Sequence, residues 1–176
     1  MTRPRLLSRL SQLFRPSPQP APAISGDGEP GAVGPTATVE IEPPRPDGLT
    51  ITYAPSIDGD PDTGEIVWTW VPYDERDGRG KDRPVLVIAR EDADHVLAVR
   101  LTSKSHDGDR DYLAIGAGPW DSQGRPSWVD VEQIYRVHRE GMRREASVLD
   151  LDRFTRVAGA LHHRYGWRAG AGEQPR

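Results

Sequence analysis

Gly64-Glu65-Ile66-Val67-Trp68 and, beyond a charged stretch, Asp82-Arg83-Pro84-Val85-Leu86-Val87-Ile88 decide how this chain folds. Both are runs of β-branched, aromatic and aliphatic residues. The residues between them, 72–82, are rich in Gly, Asp and Arg. That pattern predicts strand, polar loop, strand. Arg83 stands at the mouth of the second strand, with its backbone restricted by the proline behind it. A guanidinium held there by a rigid sheet, under a polar loop, presents the planar fork of donors that suits a phosphate.

Working outward, strands are predicted at 49–53, 64–71, 84–90, 95–103, 111–115 and 127–138. Short strands separated by Gly and Pro predict a small antiparallel sheet or barrel. The period changes near the C-terminus, where Leu151, Phe154, Val157, Ala158, Leu161 and Tyr165 recur at helical spacing. Asp150 occupies the N-cap position of that helix and Gly166 the position just past its end. Trp167 is placed to pin the helix end. The expectation is one β-rich α+β domain over 49–167 whose terminal helix buries one face on the sheet.

The flanks read differently. Nine of the 17 prolines fall between Pro16 and Pro46, and residues 16–48 are expected to be a disordered linker. Residues 168–176 are expected to be a flexible tail. In residues 1–15, Leu6, Leu7, Leu10, Leu13 and Phe14 alternate with Arg3, Arg5, Arg9 and Arg15. Such a basic amphipathic segment can touch an anionic membrane or a partner groove, although a helix this short is marginal alone and a frayed tail is the favoured reading. No run approaches the roughly 20 apolar residues of a membrane span.

Composition excludes several chemistries. The chain has 176 residues and no cysteine, which removes disulfides and thiolate metal sites. Its formal charge of -4 gives no broad attraction to nucleic acid and leaves any such binding to a local patch. Asp58, Asp60 and Asp62 alternate like the start of a calcium loop, but Thr63 and Thr69 stand where that loop needs Gly and Glu. Asp107, Asp109 and Asp111 fail the same test. The histidines lack ligand spacing, so no metal and no cofactor are expected. Around Gly80-Lys81, Glu75 and Asp82 replace the Gly and the Ser/Thr of a phosphate loop.

Arg83 gains weight from Leu101-Thr102-Ser103-Lys104. A hairpin turning at 91–94 would bring the end of the 95–103 strand beside the start of the 84–90 strand. Arg83 and Thr102 would then meet at one rim, with Arg79, Lys81 and Lys104 as nearby cations. The plainer alternative is a surface arginine paired with Asp82 or a glutamate.

These stretches, together with Val131-Glu132-Gln133-Ile134, resemble the MazF/PemK family of toxin endoribonucleases over roughly residues 62–165. The resemblance implies an SH3-like, partly closed antiparallel barrel with a C-terminal helix, and a cytoplasmic homodimer inhibited by a cognate antitoxin. It also implies metal-independent cutting of single-stranded RNA through 2′-hydroxyl attack. By position it casts Arg83 and Thr102 as catalytic and Gln133 as a residue of the dimer and RNA surface; Arg79, Lys81, Ser103 and Lys104, close by in sequence, are expected as further RNA contacts. The rival reading is a non-catalytic barrel that binds a protein or nucleic acid without cutting it. Trp68 and Trp70 are expected in the core or at a dimer interface, and Trp120, in its Gly-Pro-Trp loop, at the surface.

Overall fold

The computed structural model describes residues 28–56, 58–75 and 77–170, without the side chains of 144–146. The expected amphipathic segment 1–15 and residues 171–176 lie outside the described residues. The strands are β1 (Val39–Ile41), β2 (Thr50–Ile51), β3 (Glu65–Pro72), β4 (Gly80–Arg90), β5 (His95–Thr102), β6 (Tyr112–Gly116), β7 (Ser127–Asp130), β8 (Ile134–His138), β9 (Met142–Val148) and β10 (Arg168–Ala169). Among the described residues the one α-helix, α1, spans Leu151–Tyr165. The main sheet runs β1-β8-β5-β4-β3-β9, with the β6–β7 ribbon joined to it through β5. It forms an antiparallel half-barrel with the helix at its C-terminal end.

Continuous apolar runs mark strands that bury both faces. In β3 and β4, Ile66, Leu86 and Ile88 enter one cluster with Phe154, Val157, Leu161 and Trp167. Their neighbours Val67, Val71, Val85 and Val87 enter a second cluster with Val96, Ala98, Tyr135 and Val137. Helix α1 begins where Asp150 accepts the Arg153 N–H (3.0 Å). It ends at Gly166, whose φ of 74° is left-handed and whose N–H donates to the His162 carbonyl. Its apolar stripe of Phe154, Val157, Ala158 and Leu161 is buried. Among the described residues no helix is long and apolar enough to cross a membrane.

Three differences from the sequence reading have local causes. Within the segment read as linker, β1 pairs with β8 (Val39 with Arg136, Ile41 with Ile134). Thr38, nearly fully buried, joins hydroxyls with Thr69 (2.7 Å). Residues 127–138 form two strands, because the Asp130 carboxylate accepts the Glu132 and Gln133 N–H groups (2.9 and 3.3 Å) and turns the chain. In the expected tail, Arg168 and Ala169 pair parallel to β2.

Glu65 is 1% exposed at the start of β3. One oxygen accepts the Asp62 N–H (3.2 Å), and the other is buried with no hydrogen-bond partner. Burial pushes its pKa up, and the nearby Asp62 charge adds to this against the Asp62 N–H. A carboxyl raised in the folded state costs nothing where it is protonated in both states, and destabilises increasingly as pH rises from the ordinary glutamate value through the folded one. Glu65→Gln is therefore expected to raise the melting temperature at pH 7. The gain should vanish below about pH 4, where free glutamate is itself protonated; thermal melts at both pH values check this.

Candidate phosphate-binding site

The β4–β5 hairpin carries the two residues singled out from sequence. Its turn closes where the Glu91 N–H donates to the His95 carbonyl (3.0 Å). The register sets Val85 opposite Arg100 and Val87 opposite Ala98. Arg83 and Thr102 lie two residues beyond the last of these pairs. Side chains two apart share a face, so Arg83 lies with Val85, and Thr102 lies with Arg100 and Ala98.

The paired ladder stops at Val85 and Arg100. Pro84 has no N–H to extend it, and the end of β5 pairs instead with β7, Leu101 with Val129 and Thr102 with Trp128. A groove of about 110 Å³ opens where the strands part, and Lys81, Arg83, Thr102 and Ser103 are among the residues lining it.

Arg83 is half-buried, and its Nε is buried without a hydrogen-bond partner. Asp82, the partner proposed in the surface-pair reading, is engaged by Arg143. Burial lowers the pKa of Arg83, and the positive charge of Arg100 lowers it further. A guanidinium penalised by burial and by a like charge is relieved by an anion. The Thr102 hydroxyl oxygen accepts the Lys104 N–H (3.2 Å), leaving its hydrogen to be donated elsewhere.

Sequence reasoning missed the network beside Arg83. Arg100 Nε donates to Asp130 (2.8 Å), and a second Arg100 nitrogen reaches the Tyr112 hydroxyl (3.3 Å). Its Nη1 lies 3.5 Å from Asp74 in the β3–β4 loop. Gln133 donates to Asp74 (3.1 Å) and accepts from the Tyr135 hydroxyl (3.0 Å). Burial opposes the Arg100 charge, but Tyr135 and Asp130 outweigh it and hold the pKa above the ordinary arginine value. Of the remaining expected contacts, Arg79 pairs with Asp77 at the surface (2.6 Å). Lys104 is exposed and its backbone supports Thr102.

Trp120, expected at the surface, is buried instead. It is 4% exposed and donates to Ser127 Oγ (3.0 Å). Trp70 is buried as expected, while Trp68 is half-exposed at the groove. Among the described residues no group of three or more His, Asp or Glu side chains could hold a metal ion. Asp60 and Asp62 of the acidic turn pair with Arg139 and Arg90.

A family model for PemK-like, MazF-like toxins of type II toxin-antitoxin systems matches residues 62–164. Among solved structures, the chain is similar to an endoribonuclease in complex with its cognate antitoxin from a mycobacterial species. That likeness has 17% identity, covers 59% of this chain and 93% of that one, and has a TM-score of 0.45. It is also similar to a MazE–MazF structure from Deinococcus radiodurans, at 21% identity over 60% of this chain and 96% of that one, with a TM-score of 0.44. The Mycobacterium tuberculosis toxin MazF-mt6 shows 17% identity over 57% of this chain and 97% of that one, with a TM-score of 0.42. Comparison with curated protein sequences gives no match.

Proposed function

The chain belongs to the family of PemK-like, MazF-like toxins of type II toxin-antitoxin systems, and on that footing we propose that it is a metal-independent endoribonuclease cutting single-stranded RNA. The observation carrying this reading is the register of one hairpin. It runs as far as Val85 opposite Arg100, and Arg83 and Thr102, two residues beyond on either strand, line one groove. A guanidinium whose Nε lacks a partner and a hydroxyl with a hydrogen to donate can hold the non-bridging oxygens of one phosphodiester.

In the proposed reaction the ribose 2′-hydroxyl attacks phosphorus in line. The 2′-oxygen–phosphorus bond forms as the bond to the 5′-oxygen breaks, giving a 2′,3′-cyclic phosphate and a 5′-hydroxyl. The 2′-hydroxyl proton leaves to water and the departing 5′-oxygen takes one up, so protons balance. Arg83 stabilises the charge that gathers on the phosphoryl oxygens, and Thr102 orients the same group. No side chain must act as a strong base, because positioning and fixed charge supply the effect. Unpaired RNA is the fitting substrate, since side chains cannot read the deep groove of an A-form helix. Lys81 and Ser103 line the groove and would contact adjoining backbone. Arg79 and Lys104 supply charge nearby, and Gln133 flanks the site through Asp74.

The reading includes a homodimer acting in the cytoplasm and restrained by a cognate antitoxin. The test is to incubate the full chain with mixed-sequence single-stranded RNA in EDTA and analyse the new ends. Cutting that leaves 5′-hydroxyl ends is expected. Thr102→Ala should slow it about a hundredfold, while Thr102→Ser keeps most of the rate. Intact RNA that still binds the protein would favour the non-catalytic barrel.

A further inference from the structure

Arg83 and Arg100 are diagonal neighbours on one face of the hairpin, one register step apart. Two guanidiniums side by side repel, and each of the two carboxylates near them plays a different part. Asp130 is structural: its side chain is 2% exposed, it binds Arg100 Nε at 2.8 Å, and its other oxygen shapes the β7–β8 turn. Asp74 is not. Its side chain is 66% exposed, it sits on the β3–β4 loop, and its 3.5 Å approach to Arg100 is too long for a hydrogen bond.

We propose that Arg83 and Arg100 form a two-guanidinium cradle for one RNA phosphate, and that Asp74 fills the anion position of that cradle until the phosphate displaces it. This rests on the nuclease reading for the identity of the strand, although the cradle itself needs only an anionic backbone. The charges support the exchange. Two arginines against Asp130 and Asp74 sum to zero. With Asp74 swung away the cradle carries one net positive charge, which matches a single phosphodiester. Gln133 donates to Asp74 at 3.1 Å and is left, after the exchange, with a donor for the incoming oxygen. Arg100 is thus held ready by Asp130 and Tyr112 rather than ordered by the substrate.

The test uses a 12-nucleotide 2′-O-methyl RNA of mixed sequence, which the 2′-hydroxyl route cannot cut, with binding read by fluorescence anisotropy. Because Asp74 is exposed on a loop, Asp74→Ala and Asp74→Asn put little folding at risk. Both should bind about tenfold more tightly than the native chain, the effect of losing one competing charged contact. The slope of log affinity against log salt should steepen by about 0.7, one further phosphate for a single strand. A methylphosphonate strand of the same sequence, which is uncharged, should show no difference. Arg100→Gln combined with Asp130→Asn, which removes both buried charges together, should abolish the gain from Asp74→Ala.

Unchanged or weaker binding by both Asp74 variants overturns the proposal, whatever the chain does to cleavable RNA. Tighter binding by them alongside intact cleavable RNA keeps the cradle and removes the nuclease.

Discussion

Arg83→Ala is expected to slow RNA cutting by a hundredfold to a thousandfold, the usual cost of removing one preorganised group from developing negative charge. The structure explains why no neighbour should replace it. Lys81 is on the same strand two residues away and exposed, and Arg100 is already held by Asp130 (2.8 Å). Arg83→Lys should recover little, because an ammonium is a point charge without the guanidinium's planar fork. Folding should survive, since Arg83 makes no hydrogen bond or ion pair among the described residues and its removal separates it from the like charge of Arg100. Single-turnover cutting assays beside thermal melts check both halves. Native cutting by Arg83→Ala would remove the residue from the chemistry.

Trp167→Ala is expected to cost about 3–5 kcal/mol, the range for truncating a large buried aromatic side chain. Trp167 is 0% exposed. Its ring stacks on Tyr165 at 4.5 Å, and its Nε1 donates to the Pro44 carbonyl (2.9 Å). Truncation would empty that volume, leave the Pro44 carbonyl unpaired and loosen the N-terminal segment from the end of α1. At about 2–4 °C per kcal/mol for a chain of this size, the melting point should fall by about 10 °C. Trp167→Phe, which loses the hydrogen bond and keeps most of the packing, should cost far less. Near-equal melting of Trp167→Ala and the native chain would contradict this placement.

Local rules read well where local physics decides. Helix α1 was legible to both caps, because Asp150 and Gly166 act within one turn of it. β3, β4 and β5 were legible because both their faces are buried and their residues are mostly apolar. β1 escaped notice because three residues among prolines carry no periodicity, and pairing with β8 some 95 residues later makes them a strand. β9 escaped because it is an edge strand, where charged residues are favoured and alternation is lost. Trp120 departs from its expected surface place for a related reason. Trp68 borders the gap where the β4–β5 ladder ends, and Trp120 folds back onto Ser127.

The candidate site was legible in half. Arg83 and Thr102 could be brought to one groove from sequence because they flank the two arms of a short hairpin. Arg100 and Asp74 carried no local signal: the first is an ordinary polar position in a strand, and the second one acid among several in a charged loop. Their meaning depends on Asp130 and Gln133, which the β7–β8 turn delivers to the same face.

The central claim, that Arg83 and Thr102 grip one phosphate from opposite strands, is tested most directly by a double-mutant cycle on kcat/KM for RNA cutting. Arg83→Ala, Thr102→Ala and the double variant are compared with the native chain. Two groups acting on one transition state should be coupled, so the double variant should lose clearly less than the product of the two single losses. Losses that simply multiply, or native-rate cutting by either single variant, would contradict the account.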